Sequence, residues 1–283
     1  MTALAFVEDR REFAFTTEDF NFLAGLVRAS TGIVLADHKA NMVYSRLARR
    51  LRELGLTAFE DYCAVLKGPG RDEEIGFLIN AITTNLTRFF REPHHFEHLA
   101  TKVLPAFAKA RSGTRLRLWS AGCSSGEEPY SIAMTLADTL PNLPALDARI
   151  LATDLDTGMI ARAREGVYPA SSVADLDTGR RDRWMVPAST RGSYSIDASL
   201  RDRITFNKLN LLGPWPMNGR FDAIFCRNVM IYFDGPTKDE LVGRFADLLA
   251  PGGWLYIGHS ETILDQRSVF EPVGRTIYRK VGR

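Results

Sequence analysis

Residues 116–134 read LRLWSAGCSSGEEPYSIAM, and the fold of the larger part of the chain turns on them. Leu116, Leu118 and Trp119 form an apolar strand, residues 120–126 a loop of small side chains, and Glu127, Glu128 and Pro129 the first turn of a helix. Small side chains let the backbone approach a ligand, and a helix N-terminus presents unpaired N–H groups to it. The loop is not the GxGxxG dinucleotide fingerprint, because Ser124 stands where a central glycine is required. Two acids in the first helical turn would repel a pyrophosphate. A cationic or zwitterionic ligand suits the loop better. The plainer reading is a tight strand-to-helix turn whose acids complement the helix dipole.

The chain beyond this loop keeps an α/β rhythm. A second strand, 148–153, ends on Asp154, where a doubly wound fold holds a ribose, and Asp156 caps the next helix. Both acids read equally as caps. Over 166–203 the pattern breaks at Pro169 and Pro187, and the strand-like runs 183–186 and 194–200 predict a small inserted β subdomain. A third strand, 204–209, leads to Asn210, and a fourth, 221–226, delivers Arg227 and Asn228 ahead of Met230, Ile231, Tyr232 and Phe233. Polar residues just after buried strands are where open α/β sheets place their sites. A helix over 236–249 is expected to stop at Ala250-Pro251-Gly252-Gly253 and feed a strand at 254–257. The last strand, 275–281, follows without a long helix, which predicts an antiparallel edge.

The N-terminal part reads differently. After a loose end at 1–14, Thr16-Thr17-Glu18-Asp19 caps a helix that Ser30-Thr31-Gly32 ends. In a helix over 39–54, Val43, Leu47, Leu51 and Leu54 share one arc, opposite Lys39, Arg46, Arg49, Arg50 and Arg52. That basic side is either a solvated face or a docking surface for an acidic partner. Further helices are expected at 58–67 and 71–82. The domains expected are an all-helical one over 1–85, a linker with a first helix over 86–110, and an α/β domain over 111–283. Pro93 is placed to start the helix that runs to about 110. His94, His95 and His98 lack a Cys or Asp to complete a metal set, so no metal is expected.

Net charge is only +2, so any charged partner must be met by a local patch. Three cysteines, Cys63, Cys123 and Cys226, are far apart with no CxxC pair, which predicts a reducing, cytoplasmic setting. Nothing resembles a leader or a membrane span, so neither export nor direct membrane insertion is expected.

Taken together, TTNLTRFFREPHHF, WSAGCSSGEEPYSIAM, ATDLDTGMIARAREGVY, NLL, FDAIFCRNVMIYFD and LAPGGWLYIGHSE resemble the CheR family of chemotaxis methyltransferases. Members transfer a methyl group from S-adenosylmethionine to glutamate side chains of chemoreceptors. The resemblance spans nearly the whole chain. It implies a Rossmann-like methyltransferase sheet with an antiparallel edge strand, an inserted β subdomain and an all-helical N-terminal domain. It also implies that Asn85, Thr87 and Arg91 close over the cofactor, that Glu128 or its neighbour Glu127 meets its methionine end, and that Asp154 holds the ribose. By the same resemblance Asn210 and Leu211 flank the adenine, Arg227 and Asn228 complete the pocket, and Tyr232 lies near the transferred methyl. Arg91 and Tyr232 are the catalytic candidates.

The implied reaction needs little acid–base help, because a glutamate carboxylate is already ionised near neutrality. An arginine on that carboxylate would bind the ground state more tightly than the transition state, so Arg91 is expected to orient rather than stabilise charge. The resemblance also turns the basic helix into a docking surface for acidic receptor helices, through Arg46, Arg49 and Arg50. A nicotinamide-dependent oxidoreductase, a non-catalytic cofactor-sensing module and a nucleic-acid methyltransferase are the competing classes. Nucleic acid is not the partner expected.

Overall fold

Thr16 opens the first helix, α1 (Thr17–Thr31), through a reciprocal capping box. Its hydroxyl accepts from the Asp19 N–H at 3.1 Å, and the Asp19 carboxylate accepts from the Thr16 N–H at 2.9 Å. Gly32, at φ 73°, closes the helix. The computed structural model describes residues 11–83, 85–109, 115–263 and 268–281. The loose end expected over 1–10 and the helix end expected near 110 therefore lie outside the described residues. Residues 11–14 are not loose: Phe13 is buried and Ala14 bridges to Ala58.

The chain divides into two compact units, Met1–Thr83 and Thr84–Arg283. In the first, α1 is followed by α2 (Ala40–Leu54), α3 (Phe59–Val65) and α4 (Arg71–Ile82). Val43, Leu47 and Leu51 are fully buried along one seam of α2, among Leu23, Phe59, Tyr62 and Leu78. The opposite side is not the free basic face that the sequence suggests. Arg46 Nη1 donates to the carbonyls of Ile82 at 2.6 Å and Thr83 at 2.9 Å, closing the end of α4. Arg50 forms a fork on Glu74, at 3.0 and 2.6 Å, where the Tyr62 hydroxyl also donates. Both half-buried guanidiniums are thus engaged by acceptors inside this unit. Their acceptors lie tens of residues away, which a helical wheel does not show. Arg49, 84% exposed and paired among the described residues only with Glu53 four residues on, remains on the surface.

The second unit begins with one continuous helical run, in which α5 (His94–His98) passes through a π turn (Leu99–Val103) into α6 (Leu104–Lys109). Next come β1 (Leu116–Ala121), α7 (Glu127–Thr139), β2 (Ala148–Asp154) and α8 (Thr157–Glu165). The inserted segment contains β3 (Val167–Pro169), α9 (Ala170–Val173), α10 (Thr178–Trp184), β4 (Met185–Pro187), β5 (Ser193–Ile196) and α11 (Ala198–Arg201). Then follow β6 (Ile204–Lys208), β7 (Phe221–Cys226), α12 (Gly235–Leu248), β8 (Leu249–Ile257), β9 (Phe270–Gly274) and β10 (Ile277–Lys280).

The main sheet has seven strands in the order β6-β2-β1-β7-β8-β10-β9. The first five are mutually parallel, and β10 runs antiparallel to β8 and β9, giving the antiparallel edge. Chain order reverses between β1 and β7, the switch point at which such sheets open a crevice beyond their carboxyl ends. A separate antiparallel sheet, β3-β5-β4, lies within the insertion.

Three local expectations change. Asp177 and Asp197 cap helices by accepting from the Arg180 and Ser199 N–H groups, so residues 183–184 and 198–200 are helical rather than extended. Ala250-Pro251-Gly252-Gly253 does not precede a strand. It lies within β8, where the pairing with β7 shifts register between Phe221 and Ala223, so the turn-forming residues bend the strand without ending it. The final strand also has a partner, β9, that sequence pattern did not reveal. Among the described residues no helix is long and apolar enough to cross a membrane.

Candidate functional site

The parallel register brings the ends of β1, β2, β6 and β7 to one side of the sheet, Ala121 beside Thr153 and Asp154 beside Lys208. The loop after β1 is tied to the end of β2. Gly122 and Cys123 N–H groups both donate to the Thr153 carbonyl, at 2.8 and 2.9 Å, and the Ser124 N–H donates to Asp154 Oδ2 at 2.7 Å. Asp154 Oδ1 accepts from the Asp156 N–H at 2.9 Å. Burial pushes the Asp154 carboxyl above its usual range despite these bonds. Gly126, at φ 101°, permits the chain to turn into α7 where a Cβ would meet the Tyr168 hydroxyl at 2.8 Å.

The two acids that open α7 have different surroundings. Glu127 accepts from the Ser125 hydroxyl, at 2.7 Å, and burial raises its pKa. Glu128 accepts from the Ser120 hydroxyl at 2.7 Å and from Arg227 Nη1 at 2.8 Å. Arg227 is buried at the end of β7. Its Nη2 also lies 3.4 Å from Glu92 Oε2 and donates to the Arg91 carbonyl. Its Nε–H is buried without a partner among the described residues. Burial works against the Glu92 anion, but Arg227 and then His259 prevail and hold its pKa at about 2.

The segment 85–92 folds against these loops. Asn85 Nδ2 donates to Asp156 Oδ2 at 2.9 Å, its carbonyl accepts from the Ser124 hydroxyl, and the Phe90 N–H donates to Ser131 Oγ at 2.9 Å. Thr87 is half-buried. Arg91 donates from Nη1 to the Leu86 carbonyl at 2.8 Å, and its other guanidinium N–H groups have no partner among the described residues. Phe90, Glu92, Ser124 and Asn228 all adopt φ between 48° and 59° without being glycine. Each such residue costs of order 1 kcal/mol, and strain of this kind gathers at functional sites.

After β6, Asn210 Oδ1 accepts from the Leu212 N–H at 3.0 Å, while the buried Leu211 offers its carbonyl to Arg244 and Trp215. After β7, Tyr232 ends a single turn (Met230–Tyr232) and is half-buried, whereas its neighbour Phe233 is buried. Sequence reasoning missed Ser120, Ser124, Glu92 and Glu261. The last two stand in TRFFRE and IGHSE, where no local period distinguishes a lone glutamate that reaches a distant partner.

The histidines are used in packing and hydrogen bonding. His94 Nε2 meets the Arg275 carbonyl, His95 Nε2 the Thr276 hydroxyl and His98 Nδ1 the Tyr256 hydroxyl. Ligand atoms of Glu92, His94 and His95 do come within 4.8 Å of one another. The Arg227 guanidinium already supplies the cation facing Glu92, and a metal ion there would have to oppose it. All three cysteines are free and buried.

The CheR methyltransferase SAM-binding domain matches residues 85–279, and the CheR methyltransferase all-alpha domain matches residues 18–83. A Rhizobium etli protein named "Probable chemotaxis protein methyltransferase" is 45% identical over 258 residues, covering 90% of this chain and 96% of its own length. The chemotaxis protein methyltransferase of Escherichia coli is 44% identical over 268 residues, covering 94% of this chain and 91% of its own. Chemotaxis protein methyltransferase 2 of Pseudomonas aeruginosa is 42% identical over 272 residues, covering 95% of each. With both domain types matched in order along the site and the helices that precede it, the chain belongs to the CheR methyltransferase family and binds S-adenosylmethionine in its larger unit.

Proposed function

We propose that the protein methylates glutamate side chains of chemoreceptors, taking the methyl group from S-adenosylmethionine. The observation that carries this reading is the charge balance around Arg227. Two carboxylates, Glu92 and Glu128, face one guanidinium, with the His259 ring and N–H also on Glu92, while half-buried Asp154 and buried Glu127 add acids with no cation bonded to them among the described residues. His95 adds no charge, because burial and then Arg227 bring its pKa down to about 3. The site is therefore short of positive charge, and a ligand bearing an ammonium and a sulfonium supplies it. Asp154 keeps lone pairs for ribose hydroxyls after its backbone bonds. The residues present fit S-adenosylmethionine.

In this assignment Asp154 holds the ribose, Asn210 and Leu211 flank the adenine, and Glu128 with Glu127 faces the ammonium. Arg227 and Asn228 complete the pocket, and Asn85, Thr87 and Arg91 close over it. Bound S-adenosylmethionine supplies an electrophilic methyl group on a positive sulfur. A glutamate carboxylate oxygen forms the new C–O bond as the C–S bond breaks and its electron pair passes to sulfur. Arg91, with guanidinium donors to spare, orients the acceptor carboxylate, and Tyr232 donates a weaker hydrogen bond to it. Excluding water favours a step in which opposite charges cancel, and positioning supplies most of the acceleration.

The family's chemotaxis members support a receptor substrate, whose acidic cytoplasmic helices would meet the surface around Arg49. Incubation with methyl-labelled S-adenosylmethionine and receptor-containing membranes tests the reading. Label released as methanol by mild base marks a carboxyl methyl ester. Base-stable or RNA-associated label would overturn it.

A further inference from the structure

Glu261 lies just past the end of β8, only 6% exposed, and belongs to none of the groups assigned above. Three backbone N–H groups converge on its carboxylate. Those of Asn228 and Gly258 donate to Oε2, at 3.1 and 2.5 Å, and that of Ile231 donates to Oε1 at 3.2 Å. Two of these donors belong to the turn that begins at Arg227 and ends at Tyr232. The third belongs to Gly258, where a Cβ would sit 2.7 Å from the Asn228 nitrogen. The two loops thus pass too closely for any side chain at Gly258, with the carboxylate joining them.

The turn needs this support. Asn228 is held at φ 59°, which a non-glycine residue leaves when nothing restrains it. Its N–H and that of Ile231 would become unsatisfied donors without Glu261. At one end of the turn Arg227 is engaged with Glu128 and Glu92, and at the other stands Tyr232.

We propose that Glu261 is a positioning residue for the methyl transfer: it fixes the Arg227–Tyr232 turn from behind and thereby sets both the cofactor-binding arginine and the tyrosine. It touches no reactant. Its chemistry is specific, because both oxygens must accept. A glutamine of the same shape turns one acceptor into an N–H donor aimed at another donor. An aspartate keeps both acceptors on a shorter stem.

The test uses Glu261→Gln and Glu261→Asp in the full chain, reading Kd for S-adenosylmethionine, kcat and KM for receptor, and the unfolding midpoint. Glu261→Gln should weaken cofactor binding about tenfold, the loss of roughly one charge-assisted hydrogen bond. It should also lower kcat about tenfold and leave KM for receptor within twofold. Glu261→Asp should recover part of both losses. Val173→Ala, buried in α9 of the inserted segment, provides a destabilised control on an element that carries neither Glu261 nor the turn. At a temperature where every variant is folded, the control should bind and turn over like the parent. The proposal fails if glutamine performs like glutamate within twofold, or if the control loses as much at an equal fall in midpoint. The kcat arm rests on the proposed role of Tyr232, whereas cofactor binding does not. Absence of glutamate methylation in the parent would overturn the proposed function, and the binding comparison would still decide the role of Glu261.

Discussion

Glu92, His95 and Arg227 form a buried set in which the arginine carries the only positive charge. His95 is fully buried, with its Nδ1 3.7 Å from Glu92 Oε2, and burial first, then Arg227 and His94, lower its pKa from 6.5 to about 3. Between those values the unfolded chain binds a proton at this position and the folded chain does not, so stability must fall as pH falls. Glu92 acts in the same direction at lower pH. Its folded pKa is about 2 against 4.5, so the stability it confers is present above 4.5 and is lost as pH falls toward 2. Replacing His95 with glutamine, which can still donate to Thr276, should remove about 1.4 kcal/mol per pH unit from the slope between pH 6 and 4. Urea unfolding at half-unit intervals measures it. An unchanged slope would show that the acid sensitivity arises elsewhere.

At the scale of elements, each loop around the crevice is held by a residue behind it. Arg244 of α12 does this for the turn after β6, donating to the carbonyls of Leu211 at 2.7 Å and Gly213 at 2.6 Å while its guanidinium lies over the Trp215 ring. Arg244→Ala should raise the Kd for S-adenosylmethionine roughly threefold to tenfold, and lysine should restore part of it, since one point charge cannot reproduce the two-carbonyl fork. Calorimetric titration with the cofactor decides; unchanged affinity would remove that turn from the binding site. These supports also explain what was legible in the sequence. The strand-loop-helix of 116–134, Asp154 and the Arg227–Tyr232 run announce themselves locally, as apolar runs that end in polar residues. Arg244, Glu261 and Glu92 act across the fold, on backbone atoms or on partners far along the chain, and no local period marks them. For the same reason Pro251 and Gly252 suggested a stop and proved to be a bend, because a neighbouring strand supplies the pairing that keeps β8 extended.

For the molecule as a whole, a net charge of +2 leaves recognition of an acidic partner to particular side chains. Only some arginines of α2 are available for it. Arg50 serves a buried carboxylate: Glu74 is 6% exposed and accepts from both Arg50 and Tyr62. Arg49, 84% exposed, serves nothing beyond one surface pair among the described residues. Charge reversal at the two positions should therefore give opposite phenotypes. Arg50→Glu places two carboxylates together in a buried setting, and should lower the stability of the N-terminal unit by about 3 kcal/mol with cofactor binding kept. Arg49→Glu should leave the unfolding midpoint and the cofactor Kd unchanged, and raise KM for receptor severalfold at low salt. Because exposed charges are screened over about 8 Å at physiological ionic strength, that deficit should shrink as salt is added. Receptor methylation rates measured across a salt series, with thermal unfolding of the same variants, separate the two. Equal KM for parent and Arg49→Glu at low salt would exclude this face of α2 from receptor docking, and a stable Arg50→Glu would show that Glu74 finds another cation.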